Sequence, residues 1–389
     1  MSLLILFINI TLILVFTYSL TILVFIAGMR KRRSGSMPPL EKVTVIIAAR
    51  NEEASIGNIL NDLCRQSYPR DRYEIIVIND HSTDGTAKVV RRFVDRTSNI
   101  QLLHVREIPP NFSPKKYAMQ TAVEKASGTL ILATDADCRV GPDWIRSMAS
   151  CFEPDVGFII GFSQFGRAGQ SQSLLKNLQA VDFVTLMGAA AGSANLGFPL
   201  AASGQNLGYR KTAFQKVGGY DKVSHRVSGD DVLLLQLIRK YTDYRIVYAS
   251  DPESFAVSEP QPTLKALINQ RKRWASNGSF QIHLNFPFFL YLLQVLLYNT
   301  ALMIGFFLSL ILGQYILFFI GCLAARALME LIMTVRSAFY FKRTDLIKFY
   351  PIWFLVQIPY VVGVGIAGTF GSFRWKERRY RPEVKTTGA

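Results

Sequence analysis

The first 29 residues contain no Asp, Glu, Lys or Arg, and neither do the fifty-two residues 274–325. About 20 such residues cross a bilayer as a helix, so the first stretch reads as one tilted span. The second reads as two spans, with Leu312-Gly313-Gln314 as the turn. A cleaved signal peptide would place its positive residues before a shorter apolar core. Here Arg30-Lys31-Arg32-Arg33 follow the run, so residues 1–29 are expected to be a retained transmembrane anchor. Basic clusters favour the cytoplasmic side, which places the next domain in the cytoplasm. Arg326 and Glu330 stand at i, i+4, where they can pair on one helix face. A membrane-boundary pair is the preferred reading, with an intramembrane functional couple as the alternative. A basic loop over 336–348 and an apolar segment over 349–373 complete a C-terminal membrane region, residues 284–373, of two or three spans. The basic tail 374–389 spoils the parity of four spans, because it would then lie outside. Either the last segment is re-entrant or the tail is an exception to the positive-inside rule.

Half of the 389 residues are hydrophobic and 19% are charged, a balance that excludes a disordered chain. Lys and Arg exceed Asp and Glu by 44 to 28. The excess sits beside apolar runs, at Arg30–Arg33, Arg271–Arg273 and Arg374 to Arg381, so it suits a membrane surface and no nucleic acid. Four cysteines, none in a CxxC pair, exclude a disulfide scaffold and a zinc ribbon.

From Lys42 to Trp274 the pattern changes. Runs such as Val43-Thr-Val-Ile-Ile-Ala-Ala49 and Tyr73-Glu-Ile-Ile-Val-Ile78 are continuously apolar, as buried parallel strands are. Helical periodicity follows at 53–66, 86–94 and 116–126, with further strands at 100–105 and 129–133. This β-α-β-α-β-α-β order predicts an α/β domain with a mostly parallel, Rossmann-like sheet. Ligands in such sheets bind beyond the carboxyl ends of the strands, which directs attention to the residues after Ala49, Asn79 and Thr134.

Four motifs lie there or further on, and each has an ordinary structural reading as well. Asp80, in Asn79-Asp80-His81-Ser82-Thr83-Asp84-Gly85-Thr86, can accept hydrogen bonds from a nucleobase or ribose, or belong to a turn and helix cap. Asp135 and Asp137 can face one divalent ion if the chain is extended, or be solvated turn acids. Hard oxygen ligands of this kind suit Mg²⁺ or Mn²⁺. Asp230 and Asp231 precede the apolar run Val232–Ile238, as catalytic acids or as a helix N-cap. Gln270, Arg273 and Trp274 share a helix face, as ligand contacts or as a basic membrane interface with an aromatic anchor.

The order of these motifs resembles the membrane-integrated branch of the family 2 glycosyltransferases, which have a GT-A fold, over about Lys42 to Trp274. The resemblance implies that Ala49-Arg50-Asn51-Glu52 touches the nucleotide and that Asp80 contacts the uracil of a UDP-sugar, with Asn79 departing from the more usual acid. It implies a donor-site lysine at Lys115, or Lys116, and a metal-binding DxD at Asp135 and Asp137. It makes Asp231 the base, with Asp230 as the fallback, and matches the QxxRW element with Gln270, Arg273 and Trp274. Ser203-Gly204-Gln205-Asn206 resembles the loop beside the transferred sugar, with Gly204, Gln205 and Trp274 on the acceptor side. A base opposite the leaving group implies one displacement with inversion.

The expected activity is therefore transfer of a sugar from a nucleotide-sugar to a lipid or glycan acceptor at the membrane, the lipid being preferred. A processive polysaccharide synthase is the main alternative. A non-enzymatic membrane scaffold is the minor one, since it would have no use for the metal and base carboxylates.

Overall fold

The computed structural model describes residues 2–30, 40–105, 107–170, 172–375 and 378–380. Lys31–Arg33, most of the linker after them and the tail beyond Tyr380 lie outside the described residues. The chain divides into two compact units. One comprises Gly28–Gln170 and Ala190–Pro260; the other comprises Met1–Ala27, Ser171–Ala189 and Gln261–Ala389. The helix α1 (Ser2–Gly28) opens the chain.

The first unit is built on a seven-stranded sheet. In chain order its strands and helices begin β1 (Val43–Ala49), α2 (Ile56–Cys64), β2 (Tyr73–Asn79), α3 (Thr86–Val94) and β3 (Ile100–His104). They continue with α4 (Pro114–Lys125), β4 (Leu130–Ala133), β5 (Arg139–Val140), α5 (Trp144–Ala149), β6 (Val156–Ile160) and β7 (Ser163–Phe165). The helix α6 (Leu174–Asn195) divides between the two units, and β8 (Leu207–Arg210), α7 (Lys211–Lys216), α8 (Val232–Tyr241), β9 (Arg245–Tyr248) and β10 (Ala256–Ser258) follow. The sheet order is β3-β2-β1-β4-β8-β6-β9. Strands β1 to β4 pair in parallel, as the sequence predicts, while β8 runs antiparallel to both β4 and β6. Val45, Ile47, Ile75, Val77, Leu130 and Leu132 are wholly or almost wholly buried in the core, together with Ile56, Ile59, Leu60 and Leu63 of α2. Each such side chain contributes about 1.5–3 kcal/mol by leaving water.

This topology positions the site in two ways. Strand order reverses between β1 and β4, so the crevice beyond their carboxyl ends is a natural ligand position. Because β8 is antiparallel, its start meets the end of β4, with Leu207 opposite Ala133. The loop 203–206 is thereby delivered to the acidic turn after β4. A second, three-stranded sheet has the order β5-β10-β7, with β10 parallel to β7 and antiparallel to β5.

The second unit contains most of α1, the first part of α6, and α9 (Leu264–Ala275), α10 (Gln281–Leu284), α11 (Phe286–Leu312), α12 (Ile316–Tyr340) and α13 (Tyr350–Phe370). A hairpin of β11 (Phe373–Trp375) and β12 (Arg378–Tyr380) follows. Among the described residues four helical segments are long and apolar enough to cross a membrane: Leu3–Gly28, Phe286–Leu312, Ile316–Tyr340 and Thr344–Phe370. Asn285 caps α11 by accepting from the Phe288 amide (3.2 Å), and Gly313, at φ 65°, ends it where a left-handed residue is needed. The expected turn is therefore present.

Arg326 and Glu330 do not mark an end of the helix. They lie in the middle of α12, at 1% and 4% exposure, and α12 continues through Arg336 into the segment expected to be a basic loop. Nor do they form an ion pair with each other among the described residues. Glu330 accepts from the Tyr18 hydroxyl, and the Arg326 guanidinium lies 5.5 Å from the Phe354 ring centre. Packing from α1 and α13 takes each side chain away from its helical neighbour.

Candidate active site

Strands β1 and β2 end side by side, with Ala49 opposite Asn79, and the loops beyond them are knitted together. Asn51 is left-handed (φ 54°), its amide donates to Ser82 Oγ (3.1 Å), and its Oδ1 accepts from the Thr83 amide (2.8 Å). The Glu52 amide donates to Thr86 Oγ1 at 2.8 Å. Within this frame Asp80, only 5% exposed, lies 3.9 Å from Arg50 and 3.0 Å from His81 Nδ1. Asn79 has a structural task that uses both ends of an amide: Nδ2 meets His104 Nδ1 at 3.1 Å and Oδ1 accepts from the Ser82 amide at 3.1 Å. The N-cap position of α3 falls on Gly85, not on Asp84 or Thr86, the two residues expected there, and Asp84 just before it accepts from the Thr86 amide with Oδ1 at 3.0 Å.

After β4 the chain does not stay extended. Asp135 to Cys138 form a turn closed by the Cys138 amide on the Asp135 carbonyl (3.2 Å), so extended alternation is not what relates the two carboxylates. Asp137 is open to solvent, and among the described residues it makes no ion pair. Crowding by the surrounding protein, the Asp135 carboxylate and the Glu52 carboxylate together raise its pKa to about 6, making it a weaker acid than a free Asp.

Helix phase separates the two candidate lysines. Lys116 is fully buried, and its Nζ donates to the Ser228 carbonyl (2.9 Å) and to that of Arg226, which fixes the loop before Asp230. Its burial lowers its pKa to about 7. Lys115 Nζ instead bridges Asp135 Oδ1 and Asp230 Oδ2, at 3.0 Å from each. Asp231 caps α8, accepting from the Val232 amide (2.6 Å) with one oxygen and from the Gly204 amide (2.8 Å) with the other. A Cβ on Gly204 would sit 3.5–3.6 Å from Asp230, Asp231 and Lys115, so these four residues meet at one point. The two neighbouring acids differ. Against its burial, Lys115 and Lys116 hold Asp230 below the usual carboxylate range, while burial and the Asp230 charge raise Asp231.

The loop carrying Gly204 has support that motif reasoning missed. Thr134 Oγ1 donates to the Gln205 carbonyl (2.9 Å), and Gln205 Nε2 donates to Ser258 Oγ (2.9 Å). Asn206, with no exposed surface, accepts from Trp144 Nε1 (3.1 Å) and donates to the carbonyls of Phe162 (2.8 Å) and Ser254 (2.7 Å). The sequence marked only the run Ser203-Gly204-Gln205-Asn206 ahead of Leu207, and nothing in it set Asn206 apart as the anchor. Asn206→Ala strands these partners at about 1–3 kcal/mol each. The thermal midpoint in detergent is expected to fall by about 10 °C; an unchanged midpoint would show that the network does not hold the loop.

Gln270, Arg273 and Trp274 lie on α9, in the helical unit. The Trp274 ring is 4.2 Å from the Arg271 guanidinium and 5.9 Å from the Phe183 ring. Arg271 looks in sequence like part of a surface cluster, yet it is 3% exposed and pairs with Asp182 at 2.8 Å.

Residues 44–217 match the family model "Glycosyl transferase family 2". A probable glycosyltransferase of Bacillus subtilis is 28% identical over 252 residues, covering 64% of this chain and 57% of that protein. The beta-monoglucosyldiacylglycerol synthase of Synechocystis is 28% identical over 263 residues (64% and 50%). The poly-beta-1,6-N-acetyl-D-glucosamine synthase of Staphylococcus aureus is 27% identical over 254 residues (64% and 58%). The matches thus span between 50% and 58% of the length of these relatives. Among solved structures, a mannosyltransferase from Pyrobaculum calidifontis, in complex with GDP-Man and Mn²⁺, shares the fold at TM-score 0.62 and 19% identity, over 93% of this chain and 98% of that one.

Proposed function

Residues 44–217 make this chain a member of glycosyltransferase family 2, and from that premise we propose that it inverts a sugar from a UDP-sugar onto a membrane lipid acceptor. The observation that carries the reading is the meeting of Lys115, Asp135, Asp230, Asp231 and Gly204 at the carboxyl edge of the sheet. Four long apolar helices and the similarity to a glucosyldiacylglycerol synthase support a lipid acceptor.

The roles follow from chemistry. Asp80 and Arg50, with Ala49, Asn51 and Glu52 forming the loop floor, receive the nucleoside. Asp135 and Asp137 offer hard carboxylate oxygens suited to Mg²⁺ or Mn²⁺, and the negative charge gathered by Asp135, Asp137 and Glu52 fits a divalent cation. Among the described residues no group of three or more His, Cys, Asp or Glu gathers as a metal site; Asp135 and Asp137 are the residues that would hold the ion. When bound, the ion supplies Lewis-acid neutralisation of the leaving diphosphate. Lys115 adds a fixed positive charge beside the same oxygens. Asp231 takes the proton of the attacking hydroxyl, and Asp230, held ionised by Lys115, keeps Asp231 basic. The family resemblance gives Gln270 and Arg273 diphosphate contacts and Trp274 an acceptor contact.

Purified protein in detergent should move label from a UDP-sugar into an organic-extractable lipid carrying one or very few sugars. A high-mass, lipid-free polymer as the sole product would replace this reading with that of a polysaccharide synthase, the activity named for the Staphylococcus relative. Protection of residues 42–274 from protease in right-side-out vesicles tests the cytoplasmic placement.

A further inference from the structure

Beside Asp137 lies a cavity of about 620 Å³, lined by Arg139, Arg167, Gln170, Ser258 and Glu259 among others. The second sheet creates it. Strands β7 and β10 are parallel and β5 is antiparallel to β10, so the start of β5 and the ends of β7 and β10 emerge at one edge. That edge brings together Asp137, in the turn before β5, and Arg139 at the start of β5, with the loop 166–170 after β7 and Glu259 after β10. The loop turns on Gly166 (φ 63°) and Gly169 (φ 77°), its Gly166 amide donates to the Ser258 carbonyl (3.0 Å), and the Arg167 amide donates to Gln170 Oε1 (3.2 Å).

The volume lies within the range of small-molecule sites, about 300–1,000 Å³. The lining selects the ligand. Arg139 is already committed, to Asp62 through two hydrogen bonds of 2.6 and 2.8 Å. Arg167 is exposed and, among the described residues, makes no ion pair. It stands among two carboxylates, an amide and a hydroxyl. With Asp137 assigned to the divalent cation and Arg139 to Asp62, the remaining charges of the lining are Arg167 and Glu259, one of each sign, so an anion would meet Glu259 and a further cation would meet Arg167. An uncharged polyol avoids both repulsions, since carboxylates accept from hydroxyls and the guanidinium donates to them.

The cavity touches the catalytic point at its margin. Lys115, Asp230, Asp231 and Gly204 do not line it. Its Ser258 hydroxyl instead holds Gln205, the neighbour of Gly204, and the buried Gln205 Oε1 has no hydrogen-bond partner among the described residues. A ligand here lies beside the loop that carries Gly204 and Gln205.

Resting on the glycosyltransferase reading above, the geometry points to a subsite for an uncharged sugar already present on the acceptor, recognised by Arg167, Gln170 and Glu259. The enzyme then extends a glycoside in preference to a bare lipid hydroxyl.

Saturation-transfer NMR on the full chain in nanodiscs, with Mg²⁺ and saturating UDP, tests this with methyl glycosides of glucose, galactose, mannose and N-acetylglucosamine. At least one glycoside is expected to bind alongside UDP, and Arg167→Ala to weaken it at least about tenfold, by loss of a charged hydrogen bond. UDP affinity is expected to stay within about twofold, since neither Arg50 nor Asp80 lines this cavity; one charged hydrogen bond is the scale of any larger change. Arg167→Lys should restore part of the binding. The subsite is overturned if UDP binds and no glycoside does, if Arg167→Ala binds glycoside as wild type does, or if inorganic phosphate displaces the glycoside. Displacement by a UDP-sugar but not by UDP would assign the cavity to the donor sugar and overturn it as well. UDP binding, read in the same samples, separates failure of this subsite from failure of the donor site.

Discussion

Replacing Asp137 with alanine is expected to lower transfer by about three orders of magnitude, since a cation's neutralisation of a leaving phosphate contributes several kcal/mol and each 1.36 kcal/mol is a factor of ten. The side chain is open to solvent and supports no strand or helix, so expression and thermal midpoint should match wild type. EDTA should reproduce the loss in wild type, and added Mn²⁺ or Mg²⁺ should restore wild type alone. Full activity of wild type in chelator would remove the metal from the mechanism.

Asp231→Asn is expected to cut turnover by about 10²–10⁴, the usual contribution of a general base, with near wild-type affinity for UDP by titration calorimetry. The amide oxygen still accepts from one backbone amide, so α8 keeps a cap. Burial and Asp230 hold the Asp231 carboxyl above its ordinary value, so ionisation weakens the fold slightly as pH rises from the unfolded pKa through the folded one. Removing the charge therefore offsets part of the loss of the second accepted amide, and the thermal midpoint should fall only slightly. The same shift sets the pH profile of wild type. As the proposed base, Asp231 works as a carboxylate, so activity is expected to fall as pH drops through the raised pKa, giving an acid limb above the value near 3.9 of a free Asp. Collapse of UDP binding with transfer surviving at high donor would move Asp231 to the donor site and leave Asp230 as the base.

The parallel half of the sheet was legible because β1 to β4 are long, apolar and separated by amphipathic helices, so local pattern and tertiary burial agree. The small sheet was not legible. Its strands are two or three residues long, too short for any period, and pairing partners such as Val140 and Ala256 are far apart in sequence. Motif order located the acids at the carboxyl edge, yet it could not say how they are joined. The choice between Lys115 and Lys116 depends on the phase of α4 against a loop more than a hundred residues away. Likewise the extended geometry assumed for Asp135 and Asp137 gave way to a turn, which composition at Ala136 does not announce. Arg167 carried no signal at all, because a lone arginine between glycines reads as solvated loop.

The burial of Arg326 and Glu330 inside α12 bears on how this protein is made. An arginine at the centre of a helix raises the cost of lateral release into lipid by about 2.5–3.5 kcal/mol on insertion scales, and an acid adds to it. The preceding helix, α11, has no charged residue and is joined to α12 only by the turn at Gly313. The two therefore leave the translocon most easily as a hairpin, the apolar arm carrying the ionisable one. Tyr18 of α1 is by then already in place for Glu330, whereas Phe354 of α13 reaches Arg326 only after the last helix is synthesised. In chain order, the Tyr18–Glu330 contact is therefore complete once α12 is made, whereas the Phe354–Arg326 contact waits for α13.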